Sequence, residues 1–315
     1  MTLQIRRPAF AAAVALFLAS TALGACEVNL HTEGLSAQDV RTFKVTGTPD
    51  LVLGTFDGAI EIHSWDRNEV EVEVEKRAMD QSLIDQMKVE VEQTGDRIVV
   101  RVAGPARGDS RSITVGVHIS PTARLRVAVP RATNIEAKSG DGAIRVEALD
   151  GKIVLNTADG SVTALRVTGD IRIRTGDGSI KMEDVSGKLD IETDDGTITI
   201  DAAPTMLHLK TGDGSIRATI DQDSAMAADW DLTSGDGNVV VTLPSMFNAD
   251  VDAETGSGSV KSTHPRLNDL SVEDKRKGED SDDRRERHRT LRSKMGDGGK
   301  ILRVRTGDGW IRFEH

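Results

Sequence analysis

The dipeptide Asp-Gly recurs on a fixed beat. It stands at Asp141, Asp159, Asp177, Asp195 and Asp213, each 18 residues after the last, and returns off the beat at Asp236 and Asp308. Three residues after each of the first five lies an aliphatic side chain: Ile144, Val162, Ile180, Ile198, Ile216. Between beats run two more aliphatic columns, Ile153/Ile171/Leu189/Leu207 and Leu155/Ile173/Ile191/Leu209, and Thr157, Thr175, Thr193 and Thr211 close the unit. Each period therefore holds two short strands with alternating faces, separated by two unlike turns.

An antiparallel meander could place Asp-Gly in two-residue hairpins, but its apolar face would need a covering layer that the sequence does not supply. A membrane barrel needs aromatic girdles and longer strands. A parallel β-solenoid buries the inward residues of both strands against each other in every coil, and such repeats gain a core by stacking. The pattern thus predicts an all-β fold: a parallel β-solenoid with about 18 residues and two strands per coil. Asp-Gly becomes its corner, with Gly supplying a positive φ and Asp bonding its own backbone.

The outward columns agree. Coils stack about 4.8 Å apart, which sets Arg172 over Asp190 and Arg174 over Glu192 as opposite-charge pairs. Glu147, Glu183 and Asp201 share another outward column, beside one carrying Arg145, Lys181 and Arg217. Cross-neutralised surface charge explains these acids better than a polysaccharide-cleaving pair. Aromatics are only 3 % of the chain, with no Tyr, so platforms for sugars and bases are scarce. A net charge of -11 argues against nucleic acid as a partner.

The flanks read differently. Residues 1–25 form a signal peptide, with Arg6 and Arg7 before the apolar run Ala9 to Leu23. Leu23-Gly24-Ala25-Cys26 resembles a bacterial lipobox, making Cys26, the chain's single cysteine, the lipid-attachment residue. Glu27 follows where the inner-membrane retention signal is typically Asp, which favours the outer membrane in a host that has one. Residues 26–42 read as the lipidated Cys and a tether, 43–130 as a β-rich cap over the first edge, and 131–263 as the repeats. Residues 264–299 read as a charged, disordered insertion, and 300–315 as the final coil.

No G-x-S-x-G, H-E-x-x-H, P-loop or C-x-x-C motif is present, and the seven His residues are scattered. The stacked corner aspartates raise a calcium hypothesis. Neighbouring carboxylates about 4.8 Å apart repel by roughly 1 kcal/mol in water and ~3.5 kcal/mol at an effective dielectric of 20. The opposite corner (Asp150, Thr168, Ser186, Pro204) offers no second acid row, so local hydrogen bonds from backbone N–H groups and the Thr column are the preferred relief. The expectation is no catalytic residue, no metal and no cofactor.

The opening "FKVTGTPDLVLGTFDGAIEIHSW", the "LRVAVP" strand, the T-G-D-G corners and the closing "GGKILRVRTGDGWIRF" together resemble the bacterial putative-adhesin domain family, cell-envelope β-solenoids carried as domains of unknown function. The resemblance spans about Phe43 to Phe313 and implies an envelope protein with no established reaction. The functional expectation is a lipid-anchored, non-enzymatic module that meets envelope glycans, peptides or other cells. A sensor of envelope stress or cationic peptides is the alternative, and a polysaccharide-active enzyme stands behind both.

Overall fold

The three aliphatic columns stack in register in the computed structural model. Ile153, Ile171, Leu189 and Leu207 are successive parallel partners, as are Ile144, Val162, Ile180, Ile198 and Ile216. All are buried, because each coil's two strands turn their alternate residues toward each other. The structure describes residues 34–105, 120–267, 272–276 and 287–315, with side chains from 289 in the last stretch. Cys26 and the signal peptide lie outside the described residues. Gly34–His315 forms one compact unit.

We name the coils I–X in the order they stack. Strands preceding the corner make a leading sheet and those following it a trailing sheet. The long strands Ile180–Thr193 and Ile198–Thr211 pass from trailing to leading sheet and join the two. Coil I is Arg97–Ala103 with Thr122–Pro130, and coil II is Asp50–Thr55 with Ile60–Trp65. Coils III, IV and V begin at Asn134–Lys138, Asp150–Asn156 and Thr168–Thr175, and coils VI and VII occupy 186–201 and 204–220. Coil VIII is Trp230–Ser234 with Val239–Thr242, coil IX is Ile301–Thr306 with Ile311–Glu314, and coil X is Ala249–Thr255 with Val260–Ser262.

The stack is interleaved at both ends. Coil II, earlier in the chain, pairs between coils I and III. Coil IX, the C-terminus, pairs between coils VIII and X. Residues 300–315 are therefore not the final coil of the stack but the penultimate one. Charge favours this order. Intercalation puts Arg303 between Asp231 and Asp252, and sequential stacking would have set those two acids side by side.

Two further regions differ from expectation. Residues 43–130 hold coils I and II, so only the antiparallel strands Leu35–Lys44, Glu69–Ala78 and Lys88–Thr94, with helix Gln81–Gln86, cap that end. The first of these strands takes up the end of the segment read as tether. In the charged insertion, Arg287–Met295 pairs antiparallel with coil X and carries Val272–Arg276 at its outer edge. Leu291 and Met295 are fully buried, and these two apolar residues, dispersed among charges, anchor a strand that mean polarity conceals.

The corner also works differently from the sequence reading. The Thr hydroxyl, not the Asp, ties it together. Thr193 Oγ1 accepts from Gly196 N–H (3.1 Å), and its single proton is shared between Gly176 O (2.8 Å) and Gly178 O (3.1 Å) of the coil before. Thr157, Thr175, Thr211, Ser234, Thr306 and Thr255 repeat the donation to the neighbouring coil. The corner glycine answers to close approach. A Cβ at Gly178 would fall 2.0 Å from Gly160 O; Gly58 (φ 127°) apart, left-handed φ belongs to the opposite corner, as at Gly187 (φ 111°).

Candidate functional site: the outward faces of the two sheets

On the leading sheet one outward column forms a ladder in which acids alternate with basic side chains. Down the stack from coil V it runs Arg172, Asp190, His208, Asp231, Arg303, Asp252 and Arg292. Arg172 Nε lies 2.8 Å from Asp190, Arg303 3.7 Å from Asp231, and Arg292 3.4 Å from Asp252. The parallel column pairs Arg174 with Glu192 (3.0 Å) and Arg305 with Glu254 (3.8 Å). Both sequence-predicted pairs are present. Such exposed pairs contribute about 0–1 kcal/mol each, and their sum favours one register over its slips.

Asp190, Glu192 and His208 are the one group among the described residues whose ligand atoms all lie within 4.8 Å of one another. The arrangement is poor for a metal, since Arg172 and Arg174 already hydrogen-bond both carboxylates. The corner aspartates of the calcium hypothesis form no such three-ligand group among the described residues. Repulsion is nonetheless felt at the first corner, where desolvation and then the Asp141 charge push the Asp57 carboxyl up.

The trailing sheet is built otherwise. Its central outward column reads Arg145, Thr163, Lys181, Thr199, Arg217, Val240, Arg312 and Lys261 from coil III to coil X. Glu147, Glu183 and Asp201 flank it, as the sequence predicts. Arg166 and Arg145 hold the Glu147 carboxyl below its usual range, and Lys181 Nζ sits 2.6 Å from Glu183. Asp201 is pushed up, by desolvation first and then by Asp184, Asp221 and Glu183. On the other flank stands a hydroxyl column, Ser161, Ser179, Thr197 and Ser215, one position before each trailing strand. Asn238 and Trp310 continue it, Trp310 N–H donating to Asn238 Oδ1 (3.1 Å).

Trp310 is what the sequence reading missed. Its half-buried indole lies 4.6 Å from the Arg312 guanidinium on the outer face. Its T-G-D-G-W setting was visible, but its place beside coils VIII and X depends on the intercalation.

The profile of the Toastrack DUF4097 family matches residues 36–297. The chain belongs to that family. Toastrack domains are β-solenoid-like, in keeping with the coils above. No curated protein matches the chain. Similar solved structures include a "putative adhesin" from Parabacteroides distasonis (16 % identity, covering 88 % of this chain and 97 % of that one, TM-score 0.46). Another "putative adhesin", from Bacteroides fragilis, is 10 % identical over 88 % and 97 % (TM-score 0.42). A "putative lipid binding protein" from Parabacteroides distasonis is 12 % identical over 90 % and 98 % (TM-score 0.37).

Proposed function

We propose that this Toastrack protein is a non-enzymatic binding and structural module of the cell envelope, held to the membrane by lipid on Cys26. One observation carries the reading: both sheets spend their outward residues on columns of largely polar side chains repeated coil after coil, not on a convergent catalytic cluster. A surface extended in this way suits weak contacts repeated along a polymer or another cell's surface. The signal peptide and lipobox supply the anchor; no helix among the described residues is long and apolar enough to cross a membrane.

The test has two arms. Cys26→Ser abolishes acyl labelling and membrane retention of the mature chain; unchanged labelling and fractionation would remove the anchor. The full chain, incubated with envelope glycans, releases no product. Turnover that vanishes in Glu183→Gln or Asp201→Asn would replace this reading with an enzymatic one. A second reading, capture of cationic peptides, draws on the unrelieved acids Asp184, Asp201 and Asp221. Saturable, salt-sensitive peptide binding would favour it.

A further inference from the structure

Two outward columns treat their charges in opposite ways. In the Arg172 column of the leading sheet acids alternate with basic side chains from coil V to coil X, so that ladder neutralises itself. The column beside it sets Arg101, Lys138 and Arg174 on coils I, III and V with Gly54 and Asn156 between, and then meets Glu192. The central column of the trailing sheet never places an acid between its cations from coil III onward. Arg145, Lys181, Arg217 and Arg312 stand on coils III, V, VII and IX, with Thr163, Thr199 and Val240 between them. Lys261 ends the column on coil X. Avoiding like-charge contact would be served equally well by acids at the intervening positions, as in the Arg172 column. Neutral spacers instead leave a row of positive charge on a protein whose net charge is -11.

Spacing and flanks then define a ligand. Cations on every second coil are about 9.6 Å apart, twice the strand separation, which is the length of a disaccharide in an extended glycan. One flank offers the exposed hydroxyls of Ser161, Ser179 and Thr197, suited to sugar hydroxyl groups. The other carries Glu147, Glu183 and Asp201, which repel an anion and confine it to the hydroxyl side. Arg217 has Thr219 beside it on the acidic flank, and neither it nor Lys261 has an ionic partner among the described residues. Arg145, Lys181 and Arg312 have same-strand acid neighbours at 3.4, 2.6 and 3.5 Å, with cation exposures of 49, 60 and 42 %. Pairs this exposed are weak enough for a ligand carboxylate to replace. At the far end Trp310, with the Arg312 guanidinium over its ring, closes the hydroxyl flank.

We propose that the trailing sheet binds a linear acidic polysaccharide lying along the solenoid axis, one anionic sugar per two coils, on Arg145, Lys181, Arg217 and Arg312. The proposal rests on the binding-module reading and gives it a ligand class. Intercalation of the C-terminal coil is integral to it, because that coil brings Arg312 and Trp310 into the row.

The detergent-solubilised full chain tests this with hyaluronan oligosaccharides, which carry a carboxylate on every second sugar, and with neutral dextran as control. We expect saturable hyaluronan binding that weakens as salt rises and no dextran binding. Arg217→Gln and Lys181→Gln each weaken it by about threefold and together by tenfold or more, as expected when about 0.7 kcal/mol is lost per contact at 1.4 kcal/mol per decade. Arg217→Lys restores most of the loss, and Arg172→Gln, on the other sheet, has no effect. Unchanged melting temperatures verify that the variants fold. Absence of hyaluronan binding, or binding that Arg172→Gln weakens as much as the row variants do, would overturn the proposal. If dextran or a cationic peptide binds instead, the module reading survives and this proposal falls; hydrolysis of the oligosaccharide would defeat both.

Discussion

Replacing Thr193 by Val keeps the shape of a side chain that is only 3 % exposed and removes its hydroxyl. One accepted bond and one donation shared by two carbonyls disappear, but not equally. Gly176 O keeps the Asp194 N–H at 2.8 Å and stays satisfied. Gly178 O and Gly196 N–H lose their Thr193 partner inside the corner, where the neighbouring coil excludes water. A buried backbone group left unpaired costs about 1–3 kcal/mol, so the pair costs about 2–6 kcal/mol. At ~2–4 °C per kcal/mol for a domain of this size the melting temperature falls by roughly 4–24 °C. Far-UV circular dichroism through a thermal ramp reads the shift, with Thr193→Ser as control; the serine keeps the hydroxyl and lies within about 1 kcal/mol of the wild type. A Thr193→Val melt indistinguishable from that of the serine variant would refute the claim that hydroxyls bind the coils together.

Two further outcomes follow from local geometry. Gly178→Ala places a methyl group 2.0 Å from Gly160 O, a backbone atom that cannot step aside, and destabilises by more than about 4 kcal/mol in urea titration; a loss below 1 kcal/mol would contradict the close approach of the coils. His264 is fully buried, its Nε2 3.2 Å from Pro244 O, and burial holds its imidazole below the ordinary value. A depressed base stays neutral in the folded chain while the unfolded chain takes up a proton, so its contribution is full above about pH 6.5 and is lost as pH falls below it. Unfolding free energy measured from pH 7.5 to 5 falls more steeply for the wild type than for His264→Gln; parallel profiles would exclude the effect.

The centre of the fold was legible because a strict 18-residue beat carries its own register: Ile171 can lie only over Ile153 once the period is known. Both strands, both corners and the Arg172–Asp190 pair follow from that arithmetic. The corner's mechanism did not, since Asp-Gly signals a turn by local chemistry whereas the constraint on Gly178 comes from a different coil. The order of the coils was hidden for a related reason. Periodicity states which residues share a column and is silent on which coil follows which, and beyond Ile216 the interval to the next partner lengthens from 18 residues to 23. Of the trailing face, Arg145, Lys181 and Arg217 were visible as a column 36 residues apart. Arg312 joined them only when the C-terminus was found between coils VIII and X.

That intercalation underlies the charge ladder, the cation row and the placement of Trp310, and disulfide mapping tests it directly. In a Cys26→Ser background, cysteine pairs are introduced at 233 with 305, at 305 with 254, and at 233 with 254. Thr233 is the register partner of Arg305, and Arg305 of Glu254, so each of the first two pairs joins adjacent strands. Thr233 and Glu254 are two strands apart, about 9.6 Å, beyond the ~7 Å Cα separation that a disulfide spans. Mild oxidation of the folded chain should close the first two pairs and leave the third reduced. Rapid closure of the 233–254 pair, with the other two left open, would show that the coils stack in sequence order and that the C-terminal coil lies elsewhere.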